Sequence, residues 1–276
     1  MPPRMRMPRW WKVSLALVGA GYFIFCLANT EFIKLTTGGS GLGVSAVWEI
    51  PASLWRLAGQ MFPPSLSNMG AVGMAMLETF EMALLGTVVG VLVSFPLAIL
   101  ASHRHSPHTI LYLFGRGIIS LARTVPDLVW AFFFVATVGL GPLAGALTLT
   151  VDTIGFAGRF FAEGMEDVDR RPEEALSALG AGHVGVVFGA VVPGAFPSFI
   201  NTALFSFERA VRSSVVLGYV AAGGIGRLLE GPMTWMEYDK AATVILAIFA
   251  MVLAGERASA YMRQRVMANS NERKAR

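Results

Sequence analysis

The chain has few charged residues and almost no cysteine. Only 14% of its 276 residues are Asp, Glu, Lys or Arg, and 54% are hydrophobic, whereas a soluble domain usually carries about 25% charged residues. This composition argues against an ordinary soluble globular enzyme. The single cysteine, Cys26, excludes an internal disulfide and predicts a thiol that packs as a small apolar group.

Several catalytic and nucleotide-binding motifs are also absent. The sequence contains no G-x-x-x-x-G-K-[ST] phosphate loop and no dinucleotide-binding glycine fingerprint, so the chain is not expected to bind ATP by itself. It lacks a G-x-S-x-G elbow and an H-E-x-x-H pair, which weakens the hypothesis of an intramembrane hydrolase. His103, His105 and His108 have the spacing H-x-H-x-x-H. No Cys or carboxylate accompanies them, so a solvated loop is favoured over a metal site.

What the sequence does contain is long uncharged runs. Four of them, 13–30, 82–102, 128–151 and 184–207, are near or above the roughly 18 residues that suggest a membrane-spanning helix. Three are internal, so cleavage of a signal peptide would not remove them, and the first is interpreted as a retained anchor. With two weaker runs, the sequence predicts six membrane helices. They lie at about 12–30, 76–102, 117–138, 142–162, 186–208 and 240–261.

The placement of basic residues predicts the orientation, because cytoplasmic loops are enriched in Lys and Arg. Six crossings place both termini in the cytoplasm, and both termini are basic, with four Lys or Arg in 4–12 and five in 263–276. Arg209, Arg212 and Arg227 do not fit, because this topology places them toward the outside. Such charges in a membrane protein are functional candidates.

One strongly charged segment interrupts the apolar chain, and seven of the nine residues in 166–174 are charged. Pro172 suits the first turn of a helix, Glu173 and Glu174 favour its positive end, and Gly180 can end it. The sequence therefore predicts a short amphipathic helix in a cytoplasmic loop, whose apolar side a partner protein would cover. That side consists of Ala175, Leu176 and Leu179.

The same segment resembles a loop motif of ABC importer membrane subunits. Glu174-Ala175-Leu176, Gly180 and Pro193 match the spacing of E-A-A-x3-G-x9-I-x-L-P. The residue types depart from that motif at Leu176, Ala190 and Val192. Residues 208–226 are similar to the R-x-S-x-V-L-G-x-V-G-A-G-G-I-G stretch of phosphonate-importer permeases, and 123–127, R-T-V-P-D, also carries this resemblance.

The resemblance implies an all-α integral membrane protein with the type I ABC importer permease fold, similar to methionine-importer permeases. It also implies three parts. These are an anchor helix plus external segment at 1–75, a permease core at 76–262 with a cytoplasmic coupling loop at about 164–185, and a basic cytoplasmic tail at 263–276. Within the external segment, Trp48, Trp55 and Phe62 predict a helix on the membrane interface.

The function implied by the resemblance is that of a permease subunit, not an enzyme. It would translocate phosphonate or a related phosphorus oxyanion into the cytoplasm, while a separate ATPase hydrolyses ATP. Importers of phosphite, a phosphate ester or methionine remain the alternatives within transport; a membrane-embedded enzyme or a scaffold are the alternatives outside it. The residues expected to couple the chain to the ATPase are Glu173, Glu174, Ala175, Leu176, Gly180 and Pro193.

The implied partners follow from this role. They are an ABC ATPase dimer, a second permease chain (identical or related), an extracytoplasmic phosphonate-binding protein and membrane lipid, with no nucleic acid. ATP and Mg²⁺ would be bound by the ATPase, so no cofactor is expected in this chain. The location implied is the bacterial inner membrane, crossed several times, with both termini in the cytoplasm.

Positive side chains are candidates for the path of an oxyanion. The predicted path residues are Arg209, Arg212, Ser213, Ser214, Arg123 and Thr124, with Arg212 the first choice. A helix N-terminus near Ser213 would add free N–H groups. Arg123 and Asp127, four residues apart in one predicted helix, are expected to pair.

Two glycine pairs predict close contacts between helices, because small residues let helix backbones approach. They are Gly86-x-x-x-Gly90 and Gly185-x-x-x-Gly189.

Overall fold

The computed structural model describes residues 9–29 and 44–275. All regular elements within these residues are helices, which confirms the predicted all-α class. The chain divides into two compact units, Met1–Phe62 and Pro63–Arg276. The proposed functional parts lie in the second.

The first unit contains α1 (Arg9–Asn29) and α2 (Val44–Met61). Cys26 near the end of α1 is half-buried. The helix predicted from the tryptophans corresponds to α2, in which Trp55 is 81% exposed. The side chain of Trp48 and the glycines of 38–43 lie outside the described part of the chain.

The second unit contains the remaining helices. They are α3 (Met69–Ala101), α4 (Thr109–Thr124), α5 (Asp127–Val138), α6 (Pro142–Glu166), α7 (Arg170–Ala178), α8 (His183–Val186), α9 (Val192–Leu217), α10 (Ile225–Thr234) and α11 (Tyr238–Ala275). A π-helical turn at Val187–Val191 joins α8 to α9, and a second at Gly218–Ala222 extends α9.

Three described helical stretches are long and apolar enough to cross a membrane. They are Met69–Ala101, His183–Val220 and Tyr238–Arg265, and the bent pair formed by α4 and α5 would make a fourth. Five of the six predicted membrane helices are present as continuous helical stretches, and of these α6 does not meet the same test of length and apolarity. About half of α6 is buried against its neighbours, so its surface need not be apolar.

The predicted single helix at 117–138 is wrong, because the chain bends there by 94° between α4 and α5. Pro126 lies at the bend; proline has no N–H for the helical ladder and pushes the residue before it out of the helical conformation. Arg123 and Asp127 therefore lie on different helices. The spacing argument for their pairing does not hold.

Two glycines of α3 pack closely against α6. A Cβ added at Gly86 would lie 2.6 Å from the Cβ of Leu149, and one added at Gly90 would lie 2.5 Å from the Cβ of Thr153. No side chain fits in these spaces, which confirms the first predicted glycine contact. In the second pair only Gly189 makes a close contact with another helix: a Cβ added there would lie 3.1 Å from the Leu176 Cδ1 of α7, whereas the nearest atom to a Cβ at Gly185 is 3.7 Å away.

The stretch after residue 208 differs from the prediction of a half-spanning helix. Arg209 to Ser214 lie inside the continuous helix α9, so no helix begins near Ser213 and the expected free N–H groups are absent there. The chain turns instead at Gly223 and Gly224, whose φ angles of 89° and 75° favour glycine. The first residue of α10 is hydrogen-bonded to α3, because the Ile225 N–H donates to the Thr79 hydroxyl at 2.7 Å.

Candidate functional site

The helix α7 lies at the centre of the predicted coupling loop, and its ends are defined by capping residues. The Asp169 carboxylate accepts a hydrogen bond from the Arg171 N–H at 3.1 Å, which is an N-cap contact. At the other end Gly180 has a φ of 83°, and the Ala181 N–H donates to the Leu176 carbonyl at 3.0 Å. This is the glycine-dependent helix termination that leaves the chain free to turn away.

One face of α7 is held by the loop between α3 and α4, residues 102–108, which we call the anchor loop. Arg104 donates to both carboxylate oxygens of Glu173, at 3.2 and 3.3 Å. The Nε2 of His105 lies 3.4 Å from the same carboxylate, and its Nδ1 lies 2.9 Å from the Ser102 hydroxyl. Because the Glu173 side chain is only 14% exposed, these charge-assisted contacts are partly shielded from water.

The anchor loop is also fixed to the end of α6 and to α8. The His103 N–H donates to the Glu166 carboxylate at 2.6 Å, and Arg104 donates to the Glu166 carbonyl at 3.0 Å. The His183 ring donates to the His105 carbonyl at 2.8 Å. The anchor loop therefore connects α7 to two other elements of the core, α6 and α8.

The opposite face of α7 is open. Glu174, Ala175 and Gly180 are exposed, and the Leu179 side chain is 83% exposed. Leu176 departs from the expectation, because it is half-buried and its Cδ1 lies 3.1 Å from the position of a Cβ at Gly189. The chain itself thus covers part of the apolar side that was assigned to a partner. Pro193 is exposed in the first turn of α9.

The three histidines of the anchor loop have structural contacts of their own. His108 accepts a hydrogen bond from the Ile110 N–H at 3.3 Å and caps α4. The His103 ring lies edge-on against Tyr112, with 5.4 Å between the ring centroids. His105 is buried, and burial lowers its pKa below the usual value, although the neighbouring Glu173 acts in the opposite direction.

The two predicted path arginines of α9 form ion pairs with carboxylates. Arg209 donates to Asp152 of α6 at 2.6 Å, and its guanidinium lies 5.1 Å from the centroid of the Phe156 ring. Arg212 lies 3.3 Å from Glu208 and 2.8 Å from Glu256. Each of these arginines therefore has a negative partner within the chain.

The two predicted path serines of α9 are less exposed to solvent than Arg212. Ser214 is buried and donates to the Val211 carbonyl at 2.7 Å, while Ser213 is half-buried. Neither serine is brought together with Arg123 or Thr124, which lie on α4.

Arg123 and Thr124 line a separate cavity of about 470 Å³ with Arg116, Ser120 and Arg159. We call it the arginine cavity. Sequence reasoning missed Arg116 and Ser120, although with Arg123 they have the i, i+4, i+7 spacing of one helix face. Arg159 could not be found in that way, because it belongs to α6.

The comparisons with known proteins agree with this architecture. The profile of the family described as "Binding-protein-dependent transport system inner membrane component" matches residues 90–267. The putative phosphite transport system permease protein HtxC of Stutzerimonas stutzeri is 35% identical over 242 residues, or 88% of this chain and 80% of that protein. The phosphite transport system permease protein PtxC of the same organism is 36% identical over 257 residues, covering 92% and 90%.

A solved structure gives the fold independently. The inward-facing MetNI methionine ABC transporter contains a chain that superimposes with a TM-score of 0.64 at 22% identity, covering 73% of this chain and 99% of that one. The fold is that of a type I ABC importer permease. From the matched profile and the two relatives, the chain belongs to the family of binding-protein-dependent transport system inner membrane components.

Proposed function

We propose that this chain is the permease subunit of an ATP-driven importer that moves a phosphorus oxyanion, phosphonate or phosphite, into the cytoplasm. The observation that carries the proposal is the asymmetry of α7. Its Glu173 side is bound to the anchor loop, while Glu174 and Leu179 are left open to a partner. A helix held in this way passes a displacement of its open face to the core.

The partner in this proposal is a dimer of ATPase subunits that binds ATP and Mg²⁺, since this chain has no phosphate loop. Glu174, Ala175 and Gly180 would contact a groove of the ATPase, with Leu179 added to the contact on the evidence of its exposure. Glu173, Leu176 and Pro193 would support the contact from within the chain. A second permease chain, an external binding protein and membrane lipid complete the assembly.

The relatives' names support the substrate class. HtxC and PtxC are named as permeases of phosphite transport systems, and the sequence resembles phosphonate-importer permeases. Both solutes carry a tetrahedral phosphorus oxyanion, so one path chemistry serves either. The proposed orientation has both termini and α7 in the cytoplasm of a bacterial inner membrane, following the basic residues at 4–12 and 263–276.

The first test reverses the charge of Glu174 on the open face of α7. We expect Glu174→Arg to reduce the ATPase that co-purifies with the tagged chain in mild detergent by at least about tenfold, because one lost charge-assisted contact of about 1.5–3 kcal/mol changes a binding constant by that factor or more. ATPase recovery is measured by mass spectrometry and by ATP hydrolysis. The matched control is Glu230→Arg, the same change at an exposed position on α10.

Equal ATPase recovery from wild type and Glu174→Arg would contradict the assignment of the open face. Absence of an ATPase from the wild-type preparation would contradict the proposed function itself. A second measurement, ATP-dependent uptake of phosphite and of methylphosphonate into proteoliposomes containing the assembled complex, tests the substrate class.

A further inference from the structure

The arginine cavity gathers three cationic side chains from two helices. Arg116, Ser120, Arg123 and Thr124 come from α4, and Arg159 comes from α6. The stem of Arg123 is fixed against α6, because its Cγ lies 2.7 Å from the position of a Cβ at Gly155. This packing places the guanidinium at the cavity and restricts its freedom.

The charges in the arginine cavity do not balance. Arg159 is paired with Glu163 at 2.6 Å. Arg116 lies 3.9 Å from Glu166, whose same oxygen accepts the His103 N–H at 2.6 Å. In the part of the chain that the structure describes, no carboxylate oxygen lies within 4.0 Å of the Arg123 guanidinium. The arginines of α9 differ, since Arg209 and Arg212 each have a carboxylate within 3 Å.

The excess of positive charge lies on a candidate membrane span, which points to a function for the cavity. Arg123 lies next to the bend that ends α4, 14 residues along the chain from the first residue of that helix. Charged side chains within membrane helices face protein or a water-filled space and mark ion pathways. Ser120 and Thr124 add hydroxyl groups, and a volume of about 470 Å³ falls within the range of small-molecule sites.

We propose that the arginine cavity binds a phosphorus oxyanion on the translocation path. Arg123 would donate two parallel hydrogen bonds to the oxyanion, as guanidinium groups do with phosphate. Arg116 and Arg159 would add positive charge that the nearby glutamates only partly offset. This inference rests on the proposed function, and names the place in the chain where the transported group is held.

The cavity also shares a residue with the anchor loop. Glu166 lies near Arg116 on one side and accepts the His103 N–H on the other. A displacement of α7 that moves the anchor loop therefore changes the negative charge beside Arg116. This contact gives a physical route by which ATPase-driven movement would weaken the hold on the oxyanion and release it.

The experiment places one reactive thiol at the cavity. Thr124→Cys is made in a Cys26→Ala background, and the purified full chain is reconstituted in phosphatidylcholine vesicles. Labelling rates are compared for an anionic and a cationic methanethiosulfonate reagent. We expect the anionic reagent to react at least about tenfold faster, a preference that Arg123→Gln removes and Arg123→Lys partly retains. Arg227→Gln, the loss of an exposed arginine on α10, is the matched control and keeps the preference.

Protection separates the possible ligands. We expect phosphite at millimolar concentration to slow the labelling of the introduced thiol when Arg123 is present, and chloride at the same ionic strength to leave it unchanged. Vesicles with phosphatidylglycerol test a lipid headgroup as the source of the phosphorus oxyanion. Slowing by phosphatidylglycerol without protection by phosphite would overturn the assignment to the transport path. Equal rates for both reagents, with no protection, would overturn the site.

Failure of this site is distinguishable from failure of the proposed function, because the labelling experiment needs no ATPase. Phosphite uptake by the assembled complex that is equal for Arg123→Gln and wild type would overturn the site and leave the proposed function standing. No phosphite or methylphosphonate uptake by the wild-type complex would contradict the function instead.

Discussion

At the residue scale, two adjacent glutamates of α7 have different surroundings. Glu173 accepts hydrogen bonds from Arg104 and lies 3.4 Å from the Nε2 of His105, whereas Glu174 is exposed. The sequence predicted that both favour the start of a helix, because that inference needs only their position directly after Pro172. It could not separate their roles, because the groups that bind Glu173 are 68 and 69 residues away in the chain.

The buried His105 predicts a pH dependence of stability. Burial is the largest cause that lowers its pKa, and Arg104 acts in the same direction, while Glu173 and Glu166 act against them. The pKa of His105 is lower in the folded chain than in the unfolded chain. The unfolded chain therefore binds more protons than the folded chain as the pH falls below about 6.5. The contribution of neutral His105 to the free energy of unfolding is complete above that pH and is lost as the pH falls through the pKa of the folded state.

The corresponding measurement is the thermal unfolding midpoint between pH 7.5 and 5.0, compared for wild type and His105→Asn. We expect the midpoint of the wild type to fall more steeply below pH 6.5, because the variant has no imidazole to protonate. His183→Asn, which removes a neighbouring ring that donates to the His105 carbonyl, is the control for loss of a hydrogen bond. Parallel pH curves for wild type and His105→Asn would contradict the prediction.

At the element scale, the contact between α3 and α6 depends on the absence of side chains. We expect Gly90→Ala to lower the free energy of unfolding by about 1–3 kcal/mol, the usual cost of overpacking, because the added Cβ would lie 2.5 Å from the Cβ of Thr153. Gly73→Ala on the same helix is the matched control, since nothing lies within 4 Å of its added Cβ.

The Gly73→Ala control should leave stability unchanged or raise it by roughly 0.5–1 kcal/mol, as expected from helix propensity alone. Thermal or denaturant unfolding in the same detergent compares the two variants. Equal effects of Gly90→Ala and Gly73→Ala on the free energy of unfolding would contradict the close contact between α3 and α6.

The helices themselves show where sequence reasoning succeeds and where it stops. Runs of apolar residues predicted α3, α9 and α11, because a helix that crosses the hydrocarbon core needs about 20 predominantly apolar residues. The bend at Pro126 was missed, because the apolar residues that precede Arg123 and those that follow Asp127 were interpreted as one span. The broken helix also moved Arg123 away from Asp127 and into the arginine cavity, a placement that needs the three-dimensional position of α6.

At the scale of the whole molecule, Glu173 is the point through which α7 is tied to the anchor loop. We expect Glu173→Gln to reduce substrate uptake per ATP hydrolysed by roughly tenfold, because a lost, partly buried charge-assisted hydrogen bond of about 1.5–3 kcal/mol weakens the contact with the anchor loop by that factor or more. Co-purification of the ATPase should be retained, since the open face of α7 is unchanged.

Uptake and ATP hydrolysis are measured together in proteoliposomes that contain the assembled complex. Glu237→Gln is the control, because it breaks an exposed ion pair with Lys240 at 2.8 Å on a different part of the chain. A Glu173→Gln complex with wild-type uptake per ATP would contradict a mechanical role for the anchor loop. Loss of the ATPase from that complex would place Glu173 in the contact with the partner instead.

The anchor loop leaves little freedom for changes in chain length. Its seven residues, 102–108, lie between the last residue of α3 and the first of α4. Within them His103, Arg104 and His105 contact Glu166 or Glu173 from consecutive positions. An insertion or deletion of one residue would shift all three away from their partners at once. Family members that keep this tie should therefore conserve the length of this loop more strictly than its composition.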